Sequence, residues 1–167
     1  MILRLLLVTF MAAAGFVGAE AEDTAPLSVD ISGHPGAVQK SLQRAIAECN
    51  NEGGEGVTFA PNTVRVLNLA KGRAGYIVNF NEIKCEGRGG VYCGTGGCDL
   101  DILVELGGGR IRTVFSDRVR DYEILPGRGA PIIRFALHGA YCGGHGVPSC
   151  FKSHVITERP FKFNMPR

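Results

Sequence analysis

Leu100-Asp101-Ile102-Leu103-Val104-Glu105-Leu106, Gly107-Gly108-Gly109 and Arg110-Ile111-Arg112-Thr113-Val114-Phe115 follow one another without interruption. The two outer runs are rich in residues that suit a pleated, half-buried surface, and the glycines between them tolerate the dihedrals of a tight reversal. The reading is a β-hairpin. Downstream, Val119 to Leu125 and Pro131 to His138 form a second pair of runs, joined through Pro126-Gly127-Arg128-Gly129. Upstream, Gly56 to Ala60, Val64 to Leu69 and Tyr76 to Ile83 are shorter β-like runs. Short strands at this spacing, with turn residues between them, predict an antiparallel meander. Val155 to Phe163 is expected as a further strand, confined to an edge by Pro160, which cannot donate to a ladder.

One segment has a different period. Val38, Leu42, Ala45, Ile46 and Cys49 recur at spacings of three and four, with Gln39, Lys40, Gln43, Arg44 and Glu48 between them. That is an amphipathic helix from Gly36 to Asn50. Pro35 stands where a missing N–H costs nothing, and Asn50-Asn51-Glu52-Gly53-Gly54 stops the run. Val104, Leu106, Ile111, Val114 and Phe115 need cover from water, and this helix is the element expected to provide it. The fold class is therefore α+β: an antiparallel sheet meander with one amphipathic helix packed on one face and disulfide-stapled loops.

Residues 1–21 carry one early cation, Arg4, an apolar run from Leu5 to Val17, and a closing Ala19-Glu20-Ala21. These are the parts of a cleaved signal peptide, and the apolar run is too short to span a bilayer. Residues 22–30 are expected as a mobile lead-in and 31–167 as a single domain. All six cysteines, Cys49, Cys85, Cys93, Cys98, Cys142 and Cys150, lie beyond the leader. An even count in an exported chain predicts disulfides and no free thiol. Proximity favours Cys93–Cys98 and Cys142–Cys150, which leaves Cys49–Cys85, with Cys85–Cys93 as a competing pair. The protein is thus expected to be periplasmic or secreted, with no membrane contact after cleavage.

The net charge of +2 offers no long-range field for nucleic acid. Arg110, Arg112, Arg118, Arg120, Arg128 and Arg134 are dense, but Asp117, Asp121 and Glu123 are interleaved, which reads as a self-neutralised solvated face. No Gly-x-Ser-x-Gly, His-Glu-x-x-His or phosphate-loop motif occurs. Asp99 and Asp101 share a strand face, yet nothing local separates their pKa values for acid–base work. Cys142 and His145 lack the other ligands of a zinc site, and His34, His138 and His154 have no ligand-spaced partner. No catalytic residue, cofactor or metal is therefore expected.

Cys93-Gly94-Thr95-Gly96-Gly97-Cys98 is the sharpest local feature. Closing so short a ring stabilises a fold by only about 2 kcal/mol, so its stronger effect is to fix the shape of a projecting turn. Thr95, Gly96 and the backbone N–H groups are the candidate binding groups, with Tyr92 as the nearest aromatic anchor. Together with Tyr76-Ile77-Val78-Asn79-Phe80 and the Leu100–Leu106 run, this turn resembles that of a group of uncharacterised exported bacterial proteins. They carry a Cys-Gly-(Ser/Thr)-Gly-Gly-Cys turn ahead of a strand. The chain is more loosely similar to the periplasmic lysozyme inhibitors, some of which insert a Cys-x4-Cys loop into the lysozyme cleft. Their loop has a histidine-containing tip where this one has glycines and Thr95. The readings that follow are an exported non-catalytic binding module for an envelope or extracellular protein, a periplasmic inhibitor of a lysozyme-like hydrolase, or a purely structural envelope protein.

Overall fold

The computed structural model describes residues 30–144 and 148–165. The expected leader, residues 22–29 of the lead-in, and His145 lie outside the described residues. The helix forms where its period places it, as α1 (Gly36–Asn51), with Val38, Leu42, Ala45 and Cys49 buried and Ile46 half-buried. The Pro35 carbonyl accepts the first orphan donors, from Val38 at 2.8 Å and Gln39 at 3.0 Å. At the other end the chain must pass the Cys49–Cys85 disulfide at close range. A Cβ on Gly54 would lie 2.3 Å from one sulfur and 2.4 Å from the other, so only glycine fits there.

Ten strands follow among the described residues, all paired antiparallel: β1 (Gly56–Phe59), β2 (Val64–Asn68), β3 (Ala74–Asn79), β4 (Ile83–Glu86), β5 (Cys93–Gly94), β6 (Gly97–Glu105), β7 (Ile111–Val119), β8 (Asp121–Leu125), β9 (Ile132–Leu137) and β10 (Cys150–Val155). Strand β6 is the axis of the molecule. One side of it pairs with β3 and β5, the other with β7 along nearly its whole length. Strand β2 extends this sheet to five strands, β8, β9 and β10 make a second sheet, and β1 pairs with β4.

The helix covers one face of the central sheet, and the second sheet covers the other. Leu100, Ile102 and Val104 therefore pack between sheets, with Ile133, Phe135 and Leu137 of β9. Leu103 points the opposite way, toward Val38, Leu42 and Phe80. This corrects the expected role of the helix. Val104, Val114 and Phe115 are covered by the second sheet, while α1 covers Val78, Phe80 and Leu103, with Ile111 at its margin. A bulge opposite Ile102 and Leu103 adds Val114 to β7, so that consecutive residues Val114 and Phe115 both reach the inter-sheet core.

Two further expectations are corrected. The run from Tyr76 to Ile83 is not one strand. A 3-10 turn over Phe80–Glu82 breaks it, with the Asn79 side chain accepting the Asn81 N–H at 3.1 Å. The break turns Phe80 fully inward and sends β3 and β4 to different sheets. The last strand is β10, not Val155 to Phe163. Beyond Ile156 the chain gives up ladder pairing and buries aromatic rings instead. Phe161 stacks on Phe115 at 5.0 Å between centroids, Phe163 packs edge-on to Phe135 at 5.2 Å, and Phe161 N–H bonds the Val114 carbonyl at 2.8 Å.

The disulfides are Cys49–Cys85, Cys93–Cys98 and Cys142–Cys150, and no cysteine is free. The competing Cys85–Cys93 pair does not form. Among the described residues no helix is long and apolar enough to cross a membrane.

Candidate binding site at the Cys93–Cys98 hairpin

The Cys93-to-Cys98 turn is a miniature hairpin. Cys93 faces Cys98 and Gly94 faces Gly97, which leaves Thr95 and Gly96 as a two-residue tip. The disulfide closes the first of these pairs directly. Gly97 adopts a φ of 114°, and a Cβ there would fall 2.1 Å from the Val119 carbonyl oxygen. The turn is thus pressed onto the end of β7, and only glycine permits the approach. Around Gly96 the space is open, with no atom within 4 Å of where a Cβ would be. Thr95 is exposed.

Just past Val119 the chain leaves the central sheet for the second one, and Arg120 is the hinge residue. Its N–H bonds the Ala136 carbonyl at 2.8 Å. Its guanidinium donates to the Thr95 carbonyl at 3.3 Å and to the Ser149 hydroxyl at 3.2 Å. Ser149 lies inside the Cys142–Cys150 ring, so one arginine joins both stapled loops into a single edge.

Beside the hairpin, on the helix side, Glu48, Asn51, Glu52, Val91, Asp99 and Arg118 line a recess of about 200 Å³. Arg118 donates to Asp99 at 3.0 Å. Asp101, the next carboxylate on the same strand face, has a side chain only 4 % exposed and pairs with Arg44 at 3.3 Å. The Arg44 guanidinium also lies 4.6 Å over the Phe80 ring and 3.6 Å from Glu48. Burial raises the Glu48 pKa above its ordinary value; Arg44 opposes the shift, and Asp99 and Asp101 reinforce it. The two aspartates that share a face are therefore each matched to a different arginine.

Tyr92 does not belong to this surface. It is 3 % exposed, packs edge-on to Phe80 at 5.8 Å, and donates its hydroxyl to the Ala45 carbonyl at 2.8 Å. Burial pushes its pKa up to about 12. Of the expected binding groups, Thr95 and Gly96 stand at the tip, and Tyr92 clamps the base of the turn to the helix. The arginines of the Arg110-to-Arg134 stretch are divided between the two sheets, and two of them pair with carboxylates there. Arg118 uses Asp99, Arg134 uses Glu123, and Asp117 instead accepts the Tyr141 hydroxyl at 3.3 Å. His138 is occupied as an acceptor for Ala140 N–H, and His154 stacks on Phe161. Among the described residues no group of three or more His, Cys, Asp or Glu is placed to hold a metal ion.

Arg120, Ser149 and the Arg44–Asp101 pair were not legible as site residues. Strand alternation puts Arg118 and Arg120 on one face, but the change of sheet at Arg120 cancels that inference. Compared with known proteins, the chain matches no family model, no curated protein and no solved structure.

Proposed function

We propose that this protein is an exported, non-catalytic binding module of the cell envelope, periplasmic or secreted, that engages a protein or envelope component through the tip of the Cys93–Cys98 hairpin. The observation that carries the reading is the double contact of Arg120 with the Thr95 carbonyl and Ser149. It ties the tip of the disulfide-closed hairpin to Ser149 of the second stapled loop, so the tip has less conformational freedom to lose on binding. Thr95 and the backbone of Gly94 to Gly97 supply polar groups there, and the open space around Gly96 lets a partner approach closely. Paired cysteines throughout the chain favour an oxidising compartment. Asp99 and Asp101 beside the hairpin are each bonded to an arginine, a poor setting for a general base.

A second reading, inhibition of a lysozyme-like hydrolase, is favoured by one feature: a Cys-x4-Cys hairpin with an exposed Thr95 at the end of a sheet that packs on a helix. Its tip is Thr95-Gly96 and carries no histidine. The deciding experiment is affinity capture from envelope extract, with lysozyme inhibition and a hydrolase screen run on the same preparation. Stoichiometric capture of a component, lost on Thr95→Arg, supports the binding module. Inhibition lost on the same substitution selects the second reading. Turnover of peptidoglycan, ester or peptide substrates that survives purification overturns both, and no captured component would leave a purely structural envelope role.

A further inference from the structure

Antiparallel sheets end in strands whose outer N–H and C=O groups are free to pair, and natural proteins guard such edges with charge, proline or bulges. Here β2, β5 and β7 end the central sheet, with Arg65 exposed beside Val66 on β2 and Arg112 and Arg118 exposed on β7. Strand β8 carries exposed Asp121 and Glu123. Strand β10 is different. It ends the second sheet, no other described strand pairs with its second edge, and its outward residues are Phe151, Ser153 and Val155. Phe151 is 66 % exposed and Val155 45 %. The basic residues between them point inward and are already engaged. Lys152 donates to the Tyr141 carbonyl at 2.7 Å, and His154 stacks on Phe161 at 3.7 Å. The one lysine that could guard this edge is turned away from it.

Phe151-Lys152-Ser153-His154-Val155 also reads the same in both directions: apolar, basic, serine, basic, apolar. A strand with that symmetry is complementary to itself in antiparallel alignment, which is the requirement of an isologous two-fold contact. We infer that β10 is the contact strand of a dimer of this chain, formed edge to edge with Ser153 on the two-fold axis. The two three-stranded sheets then become one of six strands. Phe151 faces the partner's Val155, and the same aromatic–aliphatic pair repeats across the axis. Ser153 meets its own copy, and no charge on the outward face opposes a like charge. Arg134, 5.6 Å over the Phe151 ring, flanks the seam from the neighbouring strand. Six residues of edge with one aromatic–aliphatic pair on each side of the axis belong to the small, reversible class of contact. The inference stands apart from the hairpin reading and survives its failure.

Sedimentation of the purified protein, its three disulfides intact, over micromolar to millimolar concentrations tests it together with cysteine cross-linking. The expected result is a mass rising with concentration toward two chains, and a dissociation constant about tenfold or more weaker in Phe151→Glu. Opposed residues of an antiparallel pair have Cβ atoms about 5 Å apart, within disulfide reach. Ser153→Cys should therefore cross-link to itself under mild oxidation, Phe151→Cys should link only when mixed with Val155→Cys, and Lys40→Cys on the helix should not link. Peptide mapping verifies that the native pairs are retained. A single-chain mass at every concentration, with Ser153→Cys linking no faster than Lys40→Cys, would overturn the inference. So would a dimer indifferent to Phe151→Glu, or one in which Phe151→Cys links to itself as fast as Ser153→Cys.

Discussion

Gly96 and Gly97 are neighbours in sequence with opposite obligations. A methyl group on Gly97 would enter the backbone of Val119 and Arg120 from a φ that L residues rarely adopt, whereas one on Gly96 meets nothing. Gly97→Ala should therefore cost more than about 2 kcal/mol of unfolding free energy, and Gly96→Ala should stay within about 0.5 kcal/mol of wild type. Chemical denaturation of the two variants checks this. Tyr92 makes a second residue-scale prediction. Tyr92→Phe removes the hydroxyl from the Ala45 carbonyl and should lower stability by about 1 kcal/mol at neutral pH. Its phenol titrates near 12 in the folded protein against an ordinary 10.0, so the folded state keeps the proton to higher pH. That contribution is constant below pH 10 and is lost as pH rises from 10 to 12. Tyr122 and Tyr141 are shifted in the same direction, mainly by burial. Alkaline unfolding of Tyr92→Phe should thus be shallower than that of wild type but not flat. Cysteine and glycine spacing made the hairpin legible. Nothing local to Tyr92 indicated that its ring turns inward, because the helix it bonds lies about a quarter of the chain upstream.

At the level of elements, the helix and the glycine-linked strands were legible because each depends on a local period or a local turn. The break at Phe80 was not. Tyr76 to Ile83 is a plausible strand by composition, and it is the core under α1 that selects the turn and draws Phe80 in. The second sheet was hidden for the same reason, although β6 held a clue. Ile102, Leu103 and Val104 are consecutive apolar residues, the mark of a strand buried on both faces. The C-terminal segment reads as a strand until the inter-sheet aromatic cluster is known. The disulfides give a graded test at this scale. Cys49–Cys85 joins the end of α1 to β4 across 36 residues, and Cys93–Cys98 spans 5. Loop entropy assigns about 4 kcal/mol to the first and about 2 to the second. Replacing both cysteines of each pair by alanine should reproduce that order in denaturant midpoints. Hydrogen exchange should rise along α1 in the first variant and stay confined to the turn in the second.

For the whole molecule, the described fold is a helix with the β1–β4 pair, a five-stranded sheet and a three-stranded sheet in layers, with two cores on opposite faces of β3 and β6. The hairpin sits where all three layers meet. Tyr92 anchors it to the helix, Gly97 presses it on β7, and Arg120 ties it to the loop preceding β10. Removing the tie should loosen the edge without unfolding the domain. Arg120→Ala is expected to raise amide exchange at Thr95 and Ser149 while lowering stability by about 1 kcal/mol. The most direct measurement of the binding claim is a titration of the captured envelope component against wild type and Gly96→Arg. The added side chain has open space in the free protein, so its melting temperature should match wild type. The account predicts that affinity falls by about tenfold or more, because the arginine occupies the partner's approach to the tip. Affinity within about 0.5 kcal/mol of wild type, in a variant that melts normally, would contradict it and leave the Cys93–Cys98 turn as a staple alone.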